Sequence, residues 1–148
     1  MISEYCGTDL NFVSIRADRR RLRLQRYLLI AIGGALGAMA RYFVGTLAAE
    51  RFGIRFPMGT LIVNISACFL IGFSVEFLNR HMDISPAWRY LIPVGFIGAY
   101  STFSTFEWEI WMDFTHGAFW IGLLYMGVSL AGGMIAVALG TAAARVTA

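Results

Sequence analysis

Gly95-Phe96-Ile97-Gly98-Ala99-Tyr100-Ser101-Thr102-Phe103-Ser104-Thr105-Phe106 is the most anomalous stretch of the chain, and it lies shortly after Pro93. Two glycines, five hydroxyl-bearing residues and three phenylalanines share its twelve positions. It falls within an uncharged run, residues 90–106, of the kind that enters a lipid bilayer. Glycine costs about 1 kcal/mol in a helix interior, and Ser and Thr side chains compete for backbone partners. The stretch is therefore poised to unwind. Unwound backbone at membrane depth survives only where protein buries it or where it lines a hydrated cavity. Broken helices in transporters use their freed carbonyls to hold cations. The alternative is a helix that is only kinked, with its Ser and Thr facing neighbouring helices.

Working outward, the whole chain reads as membrane-embedded. Of its 148 residues 58% are hydrophobic and 14% charged, against about 25% charged in an ordinary soluble domain. A soluble domain this short cannot bury so much apolar surface, and the exposed remainder would aggregate. Residues 56–75 and 114–144 are also free of charge, and residues 27–49 carry only Arg41. A helix needs about 20 residues to cross the hydrocarbon. The expected fold is thus all-α and integral to the membrane, with four transmembrane helices over 27–49, 57–78, 87–111 and 117–143, the third of them broken. The joining segments are short, and no internal repeat is visible. Residues 1–26 form a basic N-terminal arm, and residues 27–148 a single transmembrane domain. Cys6 and Cys68 form no disulfide framework.

The arm carries Arg16, Arg19, Arg20, Arg21, Arg23 and Arg26. It reads as a juxtamembrane segment on anionic lipid, at about 1 kcal/mol per Arg. A nucleic-acid partner is not expected. The arm, the apolar run behind it and Ala38-Met39-Ala40 imitate a signal peptide, but the apolar pattern continues past Arg41 and argues against cleavage. Arg80, Arg89 and Arg145 fall on the same side as the arm, whereas the other side holds Arg51 and Arg55 with Glu107, Glu109 and Asp113. The positive-inside rule then puts both termini in the cytoplasm.

Several polar residues lie where the bilayer should exclude them. Arg41 stands in the four-residue series Gly33, Gly37, Arg41, Gly45, on one face of helix 1. It either snorkels to the headgroups or sets a positive charge at the mouth of an anion path. Gly33 and Gly37 together are a weak signal for close helix packing. Asn64, in helix 2 with Ser66 nearby, is either a hydrogen-bond clasp between helices or a donor to a ligand. In helix 4, Tyr125 and Ser129 share a face.

Three blocks of sequence resemble the CrcB/Fluc fluoride channels: residues 33–42 (GGALGAMARY), 59–64 (GTLIVN) and 95–106, the stretch quoted first. The resemblance covers about residues 27–143 in order and spacing. It implies a four-helix subunit pairing with an inverted copy of itself as a homodimer, two narrow fluoride pores, and a central structural Na⁺ where the two broken third helices cross. By position, the sodium carbonyls are those of Gly98 and Ser101. The pore phenylalanines are Phe103 and Phe106, and the polar lining is Asn64, Tyr125 and Ser129. Arg41, Thr102, Ser104, Thr105 and Glu109 stand at the pore mouth or in support. The implied setting is the bacterial inner membrane, with passive export of fluoride.

Three departures from the family pattern stand out. Ser101 occupies a usual Thr position, Tyr100 adds bulk in the break, and the basic arm should bias insertion to one orientation. The arm is either an upstream over-reading of the start or the sign of an oppositely oriented partner. The residues themselves suit fluoride, whose tightly held water must be replaced by donors. The Asn64 amide, the Ser and Thr hydroxyls and the Tyr125 phenol are donors, and aromatic ring edges are electropositive. No His, Cys or carboxylate set has catalytic or metal-ligand spacing, so no enzyme is expected. A small proton-coupled multidrug exporter would need a carboxylate inside helix 1, where this chain has Arg41. A non-transporting membrane assembly subunit would not need donors around a broken helix.

Overall fold

The computed structural model describes the backbone of residues 6–53 and 56–147 and the side chains of residues 19–53 and 56–147. Arg55 lies outside the described residues, and of Arg16 and Cys6 only the backbone is described. The described residues form helices joined by short non-helical stretches, without strands. Among the described residues, three helices are long and apolar enough to cross a membrane: Arg19–Phe52, Met58–Arg80 and Phe119–Val146.

Helix α1 runs from Cys6 to Phe52 as one 47-residue element. It starts far upstream of residue 27, where the apolar run led us to expect it. The physical reason lies in the arm's composition. Residues 8–32 contain neither Gly nor Pro, and Arg, Leu and Gln are good helix formers. A helix already nucleated by its membrane half therefore extends through them at little cost. Gly53 stops it with a φ of 76°, its N–H donating to Ala49 O at 2.9 Å, a left-handed terminator that residues with a Cβ rarely supply.

Helix α2 spans Met58–Arg80, with Pro57 as its N-cap rather than inside its first turn. The segment 87–115, where a broken third helix over 87–111 was expected, consists of four pieces. They are α3 (Ala87–Arg89), a π-helix (Tyr90–Ile97) containing Pro93, α4 (Gly98–Tyr100) and α5 (Phe103–Thr115). Pro93 has no N–H, and its ring crowds the carbonyl one turn back. Widening to i→i+5 bonding relieves that crowding. Gly117, at φ 80°, turns the chain into α6 (Phe119–Val146).

The most extensive packing sets α2 on α6, and next α1 on the π-helix. Glycines make both possible. A Cβ on Gly72 would run into the Val137 carbonyl, and one on Gly140 into the Phe69 carbonyl. On the other seam, Gly33 and Gly37 face the carbonyls of Leu91 and Phe96 just as closely, so this pair does mark a tight helix contact.

Two buried clusters lie along α2. Leu61 packs with Phe106, Ile110 and Tyr125, and Val63 and Ala67 pack with Ile97 and Tyr100. One cluster grips the chain after residue 102, the other before residue 101. At one end of the molecule the Arg26 guanidinium sits 5.1 Å over the Tyr90 ring. There too Arg89 donates to Asn79 Oδ1 and Leu78 O, and Arg145 pairs with Glu76. The start of the apolar part of α1, the end of α2, the start of segment 87–115 and the end of α6 therefore share that end.

Candidate functional site

The helical path stops at Tyr100 and resumes at Phe103. Ser101 has ψ 158°, and Thr102 has φ −148° and ψ 113°, both extended. Asn64 occupies the gap. Its Oδ1 accepts from Thr102 N at 2.9 Å, and its Nδ2 donates to Thr102 O at 3.1 Å. The side chain thus takes the place of a neighbouring strand, satisfying the main chain where no helix does. Of the two roles open to Asn64, the clasp is occupied here, while one of its two amide hydrogens is left over.

This arrangement diverts two helical donors. In a continuous helix Thr102 N–H would reach back to Gly98 O, and Thr105 N–H to Ser101 O. Instead Thr102 N–H goes to Asn64, and Thr105 N–H goes to Thr102 Oγ1 at 3.4 Å, as the N-cap bond of α5. The Gly98 and Ser101 carbonyls, three residues apart, both lose their regular partners. Gly98 is exposed and Ser101 half-buried in the single chain. Two neutral, hard oxygens freed in this way fit a hard monovalent cation.

Directly beside the gap is a cavity of about 220 Å³ lined by Asn64, Ser101, Thr102, Phe103, Phe106 and Ser129, together with Cys68 and Leu130. Ser129 Oγ is buried there without a hydrogen-bond partner. The two phenylalanine rings are 6.1 Å apart and tilted by 44°, yet their surroundings differ sharply. Phe106 is 5% exposed and Phe103 72%. Phe103 therefore turns its ring out of the subunit, towards whatever lies beside it.

Tyr125 stands behind Phe106, beside the first cavity. It is 0% exposed, meets Phe106 edge-on at 5.1 Å, and donates to Glu109 Oε2 at 2.8 Å. The other Glu109 oxygen accepts from Thr60 Oγ1 at 2.7 Å. Both oxygens of this carboxylate are thereby engaged. Glu109 and Thr60 line a second, open cavity of about 430 Å³ together with Trp108 and Asp113.

The structure brings together six of the twelve sequence-selected residues in the first cavity and joins Tyr125 to Glu109 one layer away. It does not bring Arg41 into either. Arg41 is half-buried in α1, one turn before Gly45, which lines the second cavity. Ser104 is exposed, and Thr105 is exposed but receives a hydrogen bond from Thr102 Oγ1 at 3.0 Å. Sequence reasoning missed Thr60 and Cys68 as lining residues, although each stands four residues from Asn64 on the same α2 face. It also read Tyr100 as bulk alone. Its ring is buried and its hydroxyl shares a 2.8 Å hydrogen bond with Ser66.

The sequence profile of the family described as CrcB-like protein, Camphor Resistance (CrcB), matches residues 28–141. A fluoride-specific ion channel FluC of Acidobacterium capsulatum is 56% identical over 115 residues, covering 78% of this chain and 92% of that one. Proteins of the same name from Solibacter usitatus and Rhizobium meliloti are 47% and 41% identical. These alignments cover 81% and 82% of this chain and 98% of each relative.

Proposed function

Because the chain belongs to the CrcB family, whose matched relatives are fluoride-specific channels, we propose that it is a fluoride channel that lets the anion leave the cytoplasm passively. It is a channel and not an enzyme. The observation that carries this reading is the cavity at residues 101–102, where hydrogen-bond donors and aromatic rings converge on an unpartnered hydroxyl, Ser129 Oγ. Fluoride gives up its water only to other donors, and Asn64 and Ser129 supply them without a fixed positive charge that would admit any anion. Phe103 and Phe106 contribute their positive ring edges, and Tyr125 closes the path behind Phe106. Glu109 holds Tyr125 in place, Thr102 and Thr105 fix the start of α5, and Arg41 and Ser104 stand at the mouth.

The segment 87–115 is, on this reading, the third of four crossings. A chain of four crossings is too thin to enclose a pore, and the exposed Phe103 needs a neighbour. An inverted second copy supplies both. Where the two interrupted segments cross, Gly98 and Ser101 of each chain would hold one Na⁺. The ion would supply a fixed positive charge that satisfies carbonyls left without helical donors. The setting is the bacterial inner membrane.

Fluoride efflux from proteoliposomes tests the reading. The expected result is fast discharge once an ionophore relieves the membrane potential, with no need for a proton gradient and little passage of chloride. Dependence on a proton gradient would favour a coupled exporter, and an absence of flux a non-transporting subunit. Exhaustive replacement of sodium by a bulky organic cation should abolish the flux. Unchanged flux would remove the ion from the proposal.

A further inference from the structure

The channel reading uses nothing of the helix that precedes residue 27, yet that helix holds the densest charge in the molecule. Arg19, Arg20, Arg21, Arg23 and Arg26 are all exposed, and among the described side chains no carboxylate pairs with any of them. Arg19, Arg23 and Arg26 follow one another at i, i+4 and i+7 and so share a face of α1. The position of Arg26 over the Tyr90 ring turns that face towards the start of segment 87–115. The carboxylate of Glu76 at this end is already bracketed by Arg80 and Arg145.

The depth of these arginines follows from the aromatic residues beside them. Tyr27 is 70% and Trp88 47% exposed, at the same end of the molecule. Exposed Tyr and Trp settle at the membrane–water interface. From Arg26 back to Arg19 the helix rises about 10 Å, so the arginine face climbs through the headgroup layer. Leu22 and Leu24, exposed between the arginines, are covered best by lipid at that depth. Guanidinium groups bind phosphate oxygens through two parallel hydrogen bonds.

We propose that the Arg19/Arg23/Arg26 face of α1 is a binding site for anionic phospholipid headgroups, holding the projecting part of the helix to one leaflet. The site is independent of the channel reading and requires only that the chain be embedded in a bilayer.

Native mass spectrometry of the full chain with an equimolar mixture of phosphatidylglycerol and phosphatidylcholine tests it. Retention of phosphatidylglycerol should exceed that of phosphatidylcholine by about tenfold, given several basic groups acting together. The triple variant Arg19→Gln/Arg23→Gln/Arg26→Gln should bring the ratio near parity, whereas Arg20→Gln/Arg21→Gln should keep most of it. If the triple variant does not remain monodisperse, Arg23→Gln alone should lower the ratio by about threefold. Equal retention by the parent chain would overturn the proposal, as would an unchanged ratio in both face variants. Displacement of the lipid by inorganic phosphate at equal concentration would reassign the face to free anions, and displacement by transfer RNA would reassign it to nucleic acid. Either result overturns the lipid site.

Discussion

Helix α1 and segment 87–115 carry similar burdens of helix-weakening residues and meet opposite fates. Besides Gly7 in its first turn, α1 contains Gly33, Gly34, Gly37 and Gly45 and stays continuous from Cys6 to Phe52. The second segment contains Gly95 and Gly98, widens to a π-helix around Pro93, and loses its helical path at Ser101 and Thr102. Glycine density therefore does not decide where a membrane helix breaks. In α1 every glycine N–H remains a donor, so the ladder survives and the missing side chains only let another backbone approach. In the second segment Pro93 removes a donor, and at the gap Asn64 and the Thr102 hydroxyl offer better-placed partners than the next turn does. A helix in lipid breaks where a substitute hydrogen bond is already waiting, because no water can supply one.

The comparison is broken most completely at Asn64. Asn64→Leu removes both bonds to Thr102 and leaves its N–H and C=O without partners. Each unsatisfied buried group costs about 1–3 kcal/mol, so the expected destabilisation from the two is about 2–6 kcal/mol. If the backbone rescues itself by closing the ladder through residues 101–102, the segment comes to resemble α1 and the cavity beside it collapses. In either event fluoride flux should fall by orders of magnitude. Asn64→Asp keeps the acceptor for Thr102 N–H and should lose less stability. Unfolding in detergent and efflux from liposomes measure the two effects. A Leu variant with parental flux would show that the clasp is dispensable.

Glycine contacts test the other half of the comparison. A Cβ at position 37 would overlap the Phe96 carbonyl, a rigid backbone atom, whereas one at position 45 meets nothing within 4 Å. Gly37→Ala should therefore destabilise by about 1–3 kcal/mol, in the range of overpacked cores. Gly45→Ala should be neutral or stabilise by up to about 1 kcal/mol, since alanine is the better helix former. Thermal unfolding of both proteins decides this, and equal effects would mean that α1 is not held against the π-helix.

How much of this was legible depended on the range of the interactions involved. The close approach at Gly33 and Gly37 and the weakness of residues 95–106 are local properties, visible from residue types and spacing. The exact site of the gap is not local, because it is fixed by a side chain on α2. The π-helix follows from Pro93, but whether a proline kinks, widens or ends a helix depends on what packs against it. Here the Gly33 and Gly37 face of α1 holds the widened turn. The upstream extension of α1 was hidden by polarity, although the absence of Gly and Pro through residues 8–32 pointed to it. Tyr125 could be placed on a face with Ser129, but its partner Glu109 lies on α5, and no spacing rule joins the two.

The smallest expected effect is the most informative about the freed carbonyls. Thr102 Oγ1 caps α5 by accepting from Thr105 N–H. Replacing such a cap by alanine costs about 1 kcal/mol, and Thr102→Ser should restore most of it. The consequence reaches beyond stability. Without the hydroxyl, Thr105 N–H has one backbone acceptor within its own turn, the Ser101 carbonyl, which the proposed Na⁺ also needs. A donor competing for that oxygen weakens the cation site, so Thr102→Ala should need more sodium than the parent to reach half of its own maximal flux, whatever the shorter side chain does to the cavity that Thr102 lines. Thr102→Ser should return the sodium requirement to its parental value. A sodium requirement unmoved by Thr102→Ala, with the expected loss of stability present, would separate the capping of α5 from the ion and leave the Ser101 carbonyl without a role in holding it.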